Sequence, residues 1–168
     1  MSVKTQLLKL FGIICHKPPI ILCIGSDRVT GDCFGPLVGE QLVNFHNVNA
    51  FVYGTLAKPV TAINLLAHVA FIKLKHHNCP IFAIDSSLGN RQDVGTFRLI
   101  ADGIYPGAAT GKKMPKVGDF SLTATVAPLG TGLNLYGVKL GFVHNLANIA
   151  ANEIAGALNC FNKESMAV

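Results

Sequence analysis

Two aspartates occupy places in the sequence where catalytic chemistry is expected. Asp32 lies in a polar, glycine-rich loop that follows the apolar run 20–24, and Asp85 ends the apolar run 80–84. The carboxyl ends of the strands in a parallel α/β sheet share one edge, and ligands bind at that edge. We therefore expect the two carboxyl groups to meet across one crevice, although they are far apart in the chain.

Two carboxyl groups held close together offer acid and base catalysis. They cannot both ionise cheaply, so one keeps a proton while the other acts as a base, as in aspartic proteases. The same oxygens could instead bind a divalent metal ion that polarises a carbonyl group or activates water. A structural role is also open, with Asp32 capping the following helix and Asp85 ending a strand. Spacing alone does not decide between these three roles.

Nucleophilic side chains in the same two segments give further alternatives. Cys33 precedes a predicted helix, where a thiolate is stabilised, but no histidine is near it in the sequence. Ser86 or Ser87 follows the third predicted strand, yet the Gly-x-Ser-x-Gly motif of serine hydrolases is absent. The aspartate pair remains the strongest candidate.

The hydrophobic pattern predicts the elements that hold the two aspartates. Strands are expected at about 20–25, 50–54, 80–85, 96–100 and 121–127. Helices are expected over 1–14, from Pro36, from Pro59 and over about 139–161. The stripes expected to face the core are Val38, Leu42 and Phe45 in the second helix, and Ile63, Leu66, Ala70 and Leu74 in the third. Alternating strands and helices predict an α/β helix–sheet–helix sandwich.

The segment 102–119 is rich in glycine, proline and lysine, and it separates the last two predicted strands. A loop of this length inside a compact domain is usually functional or mobile. We expect it to cover the crevice between the two aspartates.

Composition limits the class of protein. A chain of 168 residues predicts one domain over 1–168. Charged residues make up only 14%, against about 25% in a typical protein, so we expect an apolar face buried in a homo-oligomer. The net charge of +5 is spread out and lacks the pattern of a nucleic-acid-binding module.

Two further features bear on location. No uncharged apolar run reaches the roughly 20 residues of a membrane span, so we expect no membrane partner. The five cysteines are odd in number and form no Cys-x-x-Cys pair, which fits the reducing cytoplasm.

The motifs Cys23–Gly39 (CIGSDRVTGDCFGPLVG) and Ala83–Gly89 (AIDSSLG) resemble the YyaC-type sporulation proteins, regarded as spore proteases. The segment 117–121 (VGDFS) also fits, and the resemblance covers nearly the whole chain. The pattern is more remotely similar to germination protease, which degrades small acid-soluble spore proteins, and to hydrogenase maturation endopeptidases. These relatives imply a three-layer α/β/α sandwich of the phosphorylase/hydrolase-like type, with a mainly parallel five-stranded sheet.

The resemblance also implies residue roles. Asp32 falls on a position that is a catalytic aspartate in germination protease and a metal-binding glutamate in the hydrogenase enzymes. Asp85 falls on the aspartate that ends the middle strand in both. The hydrogenase enzymes add a histidine before their last strand, but no histidine lies between His77 and His144 here. Asp119 is the only acidic residue close to that place, so an aspartate pair is favoured over a metal site.

The function implied is a cytoplasmic endopeptidase of the forespore or spore, with Asp32 and Asp85 as catalytic residues. Its substrate would be a protein or peptide, including small spore proteins. Substrate-binding residues are expected at Gly25, Thr30, Ser86 and Asp119. No cofactor is expected, although a divalent metal at the pair is open. The rival functions are a metal-dependent hydrolase that uses the same aspartates and a non-catalytic sporulation factor.

Overall fold

The computed structural model describes residues 2–107, 114–130 and 135–165. The helices in these residues are α1 (Val3–Ile14), α2 (Phe34–Asn44), α3 (Leu65–Lys75) and α4 (Leu140–Ser165). The strands are β1 (Ile20–Cys23), β2 (Val52–Tyr53), β3 (Ile81–Gly89), β4 (Phe97–Ile100) and β5 (Phe120–Pro128). Short 3₁₀ turns occur at Thr30–Cys33 and Arg91–Asp93. No helix in the described part of the chain is long and apolar enough to cross a membrane.

The five strands form one sheet in the order β2-β1-β3-β5-β4. All neighbouring pairs are parallel except β4 and β5, which are antiparallel. The predicted α/β fold with a mainly parallel five-stranded sheet is confirmed.

One face of the sheet packs against α1, α2 and α4. Aromatic side chains fix this layer. Phe82 and Phe120 are paired in the β3–β5 register and stack with their ring centroids 4.7 Å apart. Phe11 of α1 meets both rings edge-on, at 6.4 and 5.8 Å. The stripe predicted for α4 is confirmed, because its members are buried: Val143, Ala147, Ala150, Ile154, Leu158 and Phe161.

The opposite face of the sheet has a smaller core among the described residues. Its core consists of α3 side chains together with Ile104 and Val117, packed on β1 and β3. Ile104 and Val117 form an isolated antiparallel bridge within the predicted loop 102–119. This loop therefore contributes to the second layer, although its residues 108–113 lie outside the described part of the chain.

The start of the third helix was predicted wrongly. Val60 forms a parallel bridge with Ile24 and so extends the sheet instead of entering a helix. A turn follows in which the Thr61 amide donates to Asn64 Oδ1 at 2.8 Å. The helix begins only after that turn, at Leu65.

Two predicted core stripes are also corrected. The side chains of α3 that face the core are Leu65 and Ile72, and the predicted stripe lies on the opposite side, with its members Ile63, Leu66, Ala70 and Leu74 exposed. Helix α3 is apolar on both sides, so periodicity could not tell which one packs inward. Phe45 follows the last residue of α2 and is 73% exposed.

Helix α2 lies in direct backbone contact with the end of β1 because of a glycine. A Cβ atom added at Gly35 would stand only 2.1 Å from the Ile24 carbonyl oxygen. That backbone carbonyl cannot move away, since Ile24 is held to β3 by its amide, which donates to the Ile84 carbonyl at 2.7 Å. Helix α2 can therefore lie this close to the sheet only because Gly35 has no side chain.

We expect Gly35→Ala to lower the free energy of unfolding by about 2–4 kcal/mol, since it forces α2 off the sheet. Gly12→Ala is the matched control, because a Cβ atom at Gly12, in α1, would meet no atom within 4 Å. That change should raise stability by about 0.5–1 kcal/mol through helix propensity. Urea unfolding of the two variants measures both effects, and equal stability of the two would contradict the contact described.

Candidate active site

Asp85 lies in the middle of β3 and is 8% exposed. Its register partner across the β3–β5 pair is Thr123. Carboxylate oxygen Oδ1 accepts a hydrogen bond of 2.7 Å from the Ser86 amide. Burial raises the pKa of Asp85 well above its usual range, the negative charge of Asp32 raises it further, and the Ser86 hydrogen bond opposes both effects.

Asp32 lies in the 3₁₀ turn that leads into α2. The Ser26 amide donates to the Asp32 carbonyl at 3.1 Å, and Gly25 packs so closely that an added Cβ atom would stand 2.0 Å from that carbonyl oxygen. Gly25 has a φ of +145°, a conformation that side chains disfavour. Burial raises the pKa of the Asp32 carboxyl group, and a hydrogen bond from the Ser26 backbone lowers it.

Both aspartates line one cavity of about 550 Å³. Its other lining residues come from the carboxyl half of β3, from Thr123 of β5, from the end of β4 and from the loops that follow β4 and β5. They are Ser86, Ser87, Leu88, Ile100, Gly103, Ile104, Tyr105, Gly107, Thr123, Leu129 and Gly130. The structure thus brings Asp32 and Asp85 into one crevice, and four residues of loop 102–119 line it.

Three other predicted site residues differ in their position relative to the cavity. Ser86 lines the cavity beside Asp85. Gly25 shapes the backbone around Asp32 without being a lining residue. Thr30 begins the 3₁₀ turn that carries Asp32 and is likewise not a lining residue.

Asp119 does not lie beside Asp32 and Asp85. Its Oδ2 accepts a hydrogen bond of 2.7 Å from the amide of Ile81, the first residue of β3. Since Asp85 follows Ile81 by four positions at roughly 3.3 Å per residue, Asp119 lies roughly 13 Å away along the strand. Asp119 ties together the amino ends of β3 and β5, which is a structural role, and it is not a lining residue of the cavity.

The alternative nucleophiles gain no support from their surroundings. Cys33 is buried, and the pKa of its thiol is raised by burial and by the negative charges of Asp27 and Asp32. A raised pKa keeps the thiol protonated and unreactive. The Ser87 hydroxyl lies 3.4 Å from the Thr125 hydroxyl, and among the described residues neither Ser86 nor Ser87 is hydrogen-bonded to a histidine.

Sequence reasoning named Ser87 only as an alternative nucleophile and missed Thr123, and both are polar side chains that line this cavity. A signal for both was present. Successive residues of a strand face opposite sides of the sheet, so Ser87 faces the same side as Asp85. On β5, Ser121, Thr123 and Thr125 alternate with apolar residues, which marks the side of the sheet that carries polar groups.

Comparison with known proteins places the chain in a family. The family described as "Protein of unknown function (DUF1256)" matches residues 2–153. The chain belongs to the DUF1256 family. It is 37% identical over 156 residues to "Uncharacterized protein YyaC" of Bacillus subtilis (strain 168), across 92% of this chain and 76% of that protein. The resemblance to YyaC-type proteins is confirmed.

The fold of this DUF1256 protein is similar to that of a solved structure, the NiFe hydrogenase maturation protease HycI from Thermococcus kodakarensis KOD1. The TM-score is 0.52 at 20% identity, and the match covers 92% of this chain and 99% of HycI. At that identity the similarity shows the fold alone. The similarity to germination protease stays a prediction.

The donor set of the DUF1256 site fits some metal ions and not others. No group of three or more His, Cys, Asp or Glu side chains that could hold a metal occurs among residues 2–107, 114–130 and 135–165. Catalytic zinc sites take three protein ligands, so the pair does not fit zinc. Mg²⁺ is bound through one or two carboxylates with several waters, and Asp32 and Asp85 fit that pattern.

The raised pKa of Asp85 predicts how stability depends on pH. The folded protein holds the Asp85 proton more tightly than the unfolded chain does. This contribution to stability is fully present below the unfolded pKa of about 3.9 and is lost as pH rises through the higher folded pKa. Asp85→Asn should therefore flatten the decline in stability between acidic and neutral pH and stabilise the protein at neutral pH.

Urea unfolding at several pH values measures this difference, and Asp27→Asn, which removes an exposed aspartate, is the control. A decline with pH that persists unchanged in Asp85→Asn would show that another group causes it.

Proposed function

We propose that this protein is an endopeptidase that hydrolyses peptide bonds with the carboxyl groups of Asp32 and Asp85. The observation that carries the proposal is the burial of Asp85 in the same cavity as Asp32, whose charge raises the pKa of Asp85. Perturbed carboxyl groups that face each other in a cleft are typical of acid and base catalysis. The coupled pair titrates as a unit, with one proton shared between two groups over a range of pH.

The unequal burial of the two groups assigns their roles. Asp85 is the more deeply buried and keeps the proton, while Asp32 is the ionised base. Asp32 takes a proton from water as the water oxygen attacks the carbonyl carbon, and Asp85 gives its proton to the carbonyl oxygen. The resulting diol collapses when Asp32 passes its proton to the leaving nitrogen and Asp85 regains one from a diol hydroxyl. Atoms and charges balance, and the pair returns to its starting state.

The family resemblance suggests the biological setting. YyaC-type sporulation proteins and germination protease point to a spore protein as the substrate and to the forespore cytoplasm as the location. A metal bound at the pair would supply Lewis-acid chemistry, and the same aspartates would hold it. The proposal prefers the proton-sharing pair because burial and mutual repulsion of the two carboxyl groups favour a retained proton, and the described cavity lacks the third ligand of a catalytic zinc.

Cleavage of spore protein extract and of a mixed peptide library tests this function. We expect Asp32→Asn and Asp85→Asn each to lower kcat/KM by about 10²–10⁴-fold, since each removes one proton-transfer group. Asp27→Asn should retain activity, because Asp27 is exposed and does not line the cavity. EDTA should leave the wild type active.

Reversible loss of activity in EDTA, restored by a divalent ion, would replace the proton-sharing pair with a metal-dependent hydrolase. Absence of any Asp85-dependent cleavage would favour a non-catalytic sporulation factor.

A further inference from the structure

Four apolar side chains line the cavity that holds the aspartates, and we call them the apolar wall. They are Leu88 from β3, Ile100 from β4, and Ile104 and Leu129 from the adjoining loops. Among the described lining residues the charged groups are only the two aspartates. The cavity thus combines apolar side chains with the two carboxyl groups.

The apolar wall is held by the backbone of the sheet. Ile100 pairs with Ser121 in the antiparallel β4–β5 ladder. Ile104 is fixed by two backbone hydrogen bonds with Val117, of 2.9 and 2.8 Å, and its side chain is 9% exposed. Sites built on such fixed elements discriminate between ligands by shape and polarity.

We propose that this wall is the specificity subsite of the enzyme, and that it binds an apolar side chain next to the scissile bond. This inference rests on the proposed function. An acidic side chain would be repelled by the ionised Asp32, and its charge would lose hydration against the apolar wall. A basic side chain would pair with Asp32 and block its role as a base. A side chain the size of leucine, methionine or phenylalanine covers the apolar wall and forms no ion pair with Asp32. Both aspartates then stay available for catalysis.

Mapping the cleavage sites in a synthetic peptide library by mass spectrometry tests the subsite. We expect wild type to cleave beside leucine, isoleucine, methionine and phenylalanine. Ile100→Gln and Ile104→Gln should reduce the preference for leucine over serine by about 10-fold or more, the scale of methylene-level discrimination in apolar pockets. Ile13→Gln, on the exposed side of α1, should leave the preference unchanged. Because Ile100 is only half-buried, its variant should fold even if that of Ile104 does not.

The outcomes separate the two proposals. If cleavage depends on Asp85 but shows no apolar preference, the subsite is overturned and the endopeptidase proposal stands. The same holds if both glutamine variants retain the apolar preference. Failure of all cleavage would overturn the proposed function and this inference with it.

A second inference concerns α3, which is apolar on its outer side as well as its inner side. Leu66 and Leu74 are 53% and 73% exposed, and Ile63, which precedes the helix, is 90% exposed. Residues at these spacings lie along one helical stripe. A surface helix normally exposes a polar face, so an apolar stripe on the outer side of α3 is unusual.

The exposed stripe continues onto neighbouring aromatic residues. Phe71 of α3 packs against Tyr53 at a ring distance of 6.1 Å, and Phe51 lies 4.3 Å from the ring of His76 at the end of the helix. Phe51 and Phe71 are 62% and 50% exposed. An aromatic side chain buries about 150–250 Å² in full, so each half-exposed phenylalanine still offers roughly 100 Å². With Ile63, Leu66 and Leu74 added on both copies, the patch reaches only the lower end of the ~1,200–2,000 Å² of a stable two-protein interface.

We infer that a second copy of this chain covers the patch, with the two α3 helices antiparallel about a two-fold axis near Ala70. This arrangement is self-complementary, as two-fold symmetry requires. Leu66 of one copy meets Leu74 of the other, and Ala70 faces its own equivalent, where a small side chain allows close approach. Lys73 and Lys75 flank the stripe on its two sides, so no lysine opposes its own copy across the axis.

Sedimentation equilibrium of the full chain tests this interface. We expect a wild-type dimer and an increase of at least about 100-fold in the dimer dissociation constant for the double variant Leu66→Glu, Leu74→Glu, since four buried charges would be unpaired at the interface. Ile13→Glu, at an exposed apolar position of α1, should remain dimeric.

A monomeric wild type at high micromolar concentration, or a dimer that the double variant retains, would overturn the inference. Binding of a monomeric wild type to anionic lipid vesicles, lost in the double variant, would also overturn it and assign the patch to a membrane surface.

Discussion

The candidate site depends on a backbone contact between Gly25 and Asp32. The chain leaves β1 at Gly25, and its backbone lies so close to the Asp32 carbonyl that a Cβ atom would be only 2.0 Å away. The Ser26 amide donates to the same carbonyl. Because Gly35 then seats α2 on Ile24, the turn that carries Asp32 is held from both ends. The two glycines thus fix both ends of the polar loop against the backbone beside the sheet.

The second constraint is the unequal length of the strands. β1 pairs with only the first four residues of β3, from Ile81 to Ile84, whereas β5 pairs with β3 as far as Gly89. Asp85 is the first residue of β3 beyond that shared ladder. It therefore remains inside the sheet, buried against β5, while its carboxyl group faces the space next to Asp32. Burial and the negative charge of Asp32 favour the neutral form of Asp85, and a carboxylic acid that keeps its proton can donate it.

The parts of this structure that follow from local chemistry were predictable from sequence. The strands, the amphipathic α4 and the meeting of Asp32 and Asp85 required only apolar periodicity and the shared edge of a parallel sheet. The orientation of α3 was not predictable, because both of its sides are apolar and only tertiary contact decides which faces β1 and β3. The role of Asp119 was equally hidden, since an aspartate before a strand gives no sign that it binds the amide of Ile81 at the far edge.

The two faces of the sheet are used differently, and this difference connects the cavity to the exposed patch. Three helices cover one face with interlocking aromatic rings, including the Phe82–Phe120 stack. Over the other face the described residues contribute mainly α3, Ile104 and Val117, and side chains of β3 and β5 line the cavity there. Within the described residues, this limited cover leaves the cavity beside Asp85 open and the outer side of α3 exposed. The cavity can then admit a substrate, while Leu66 and Leu74 can contact a second copy of the chain.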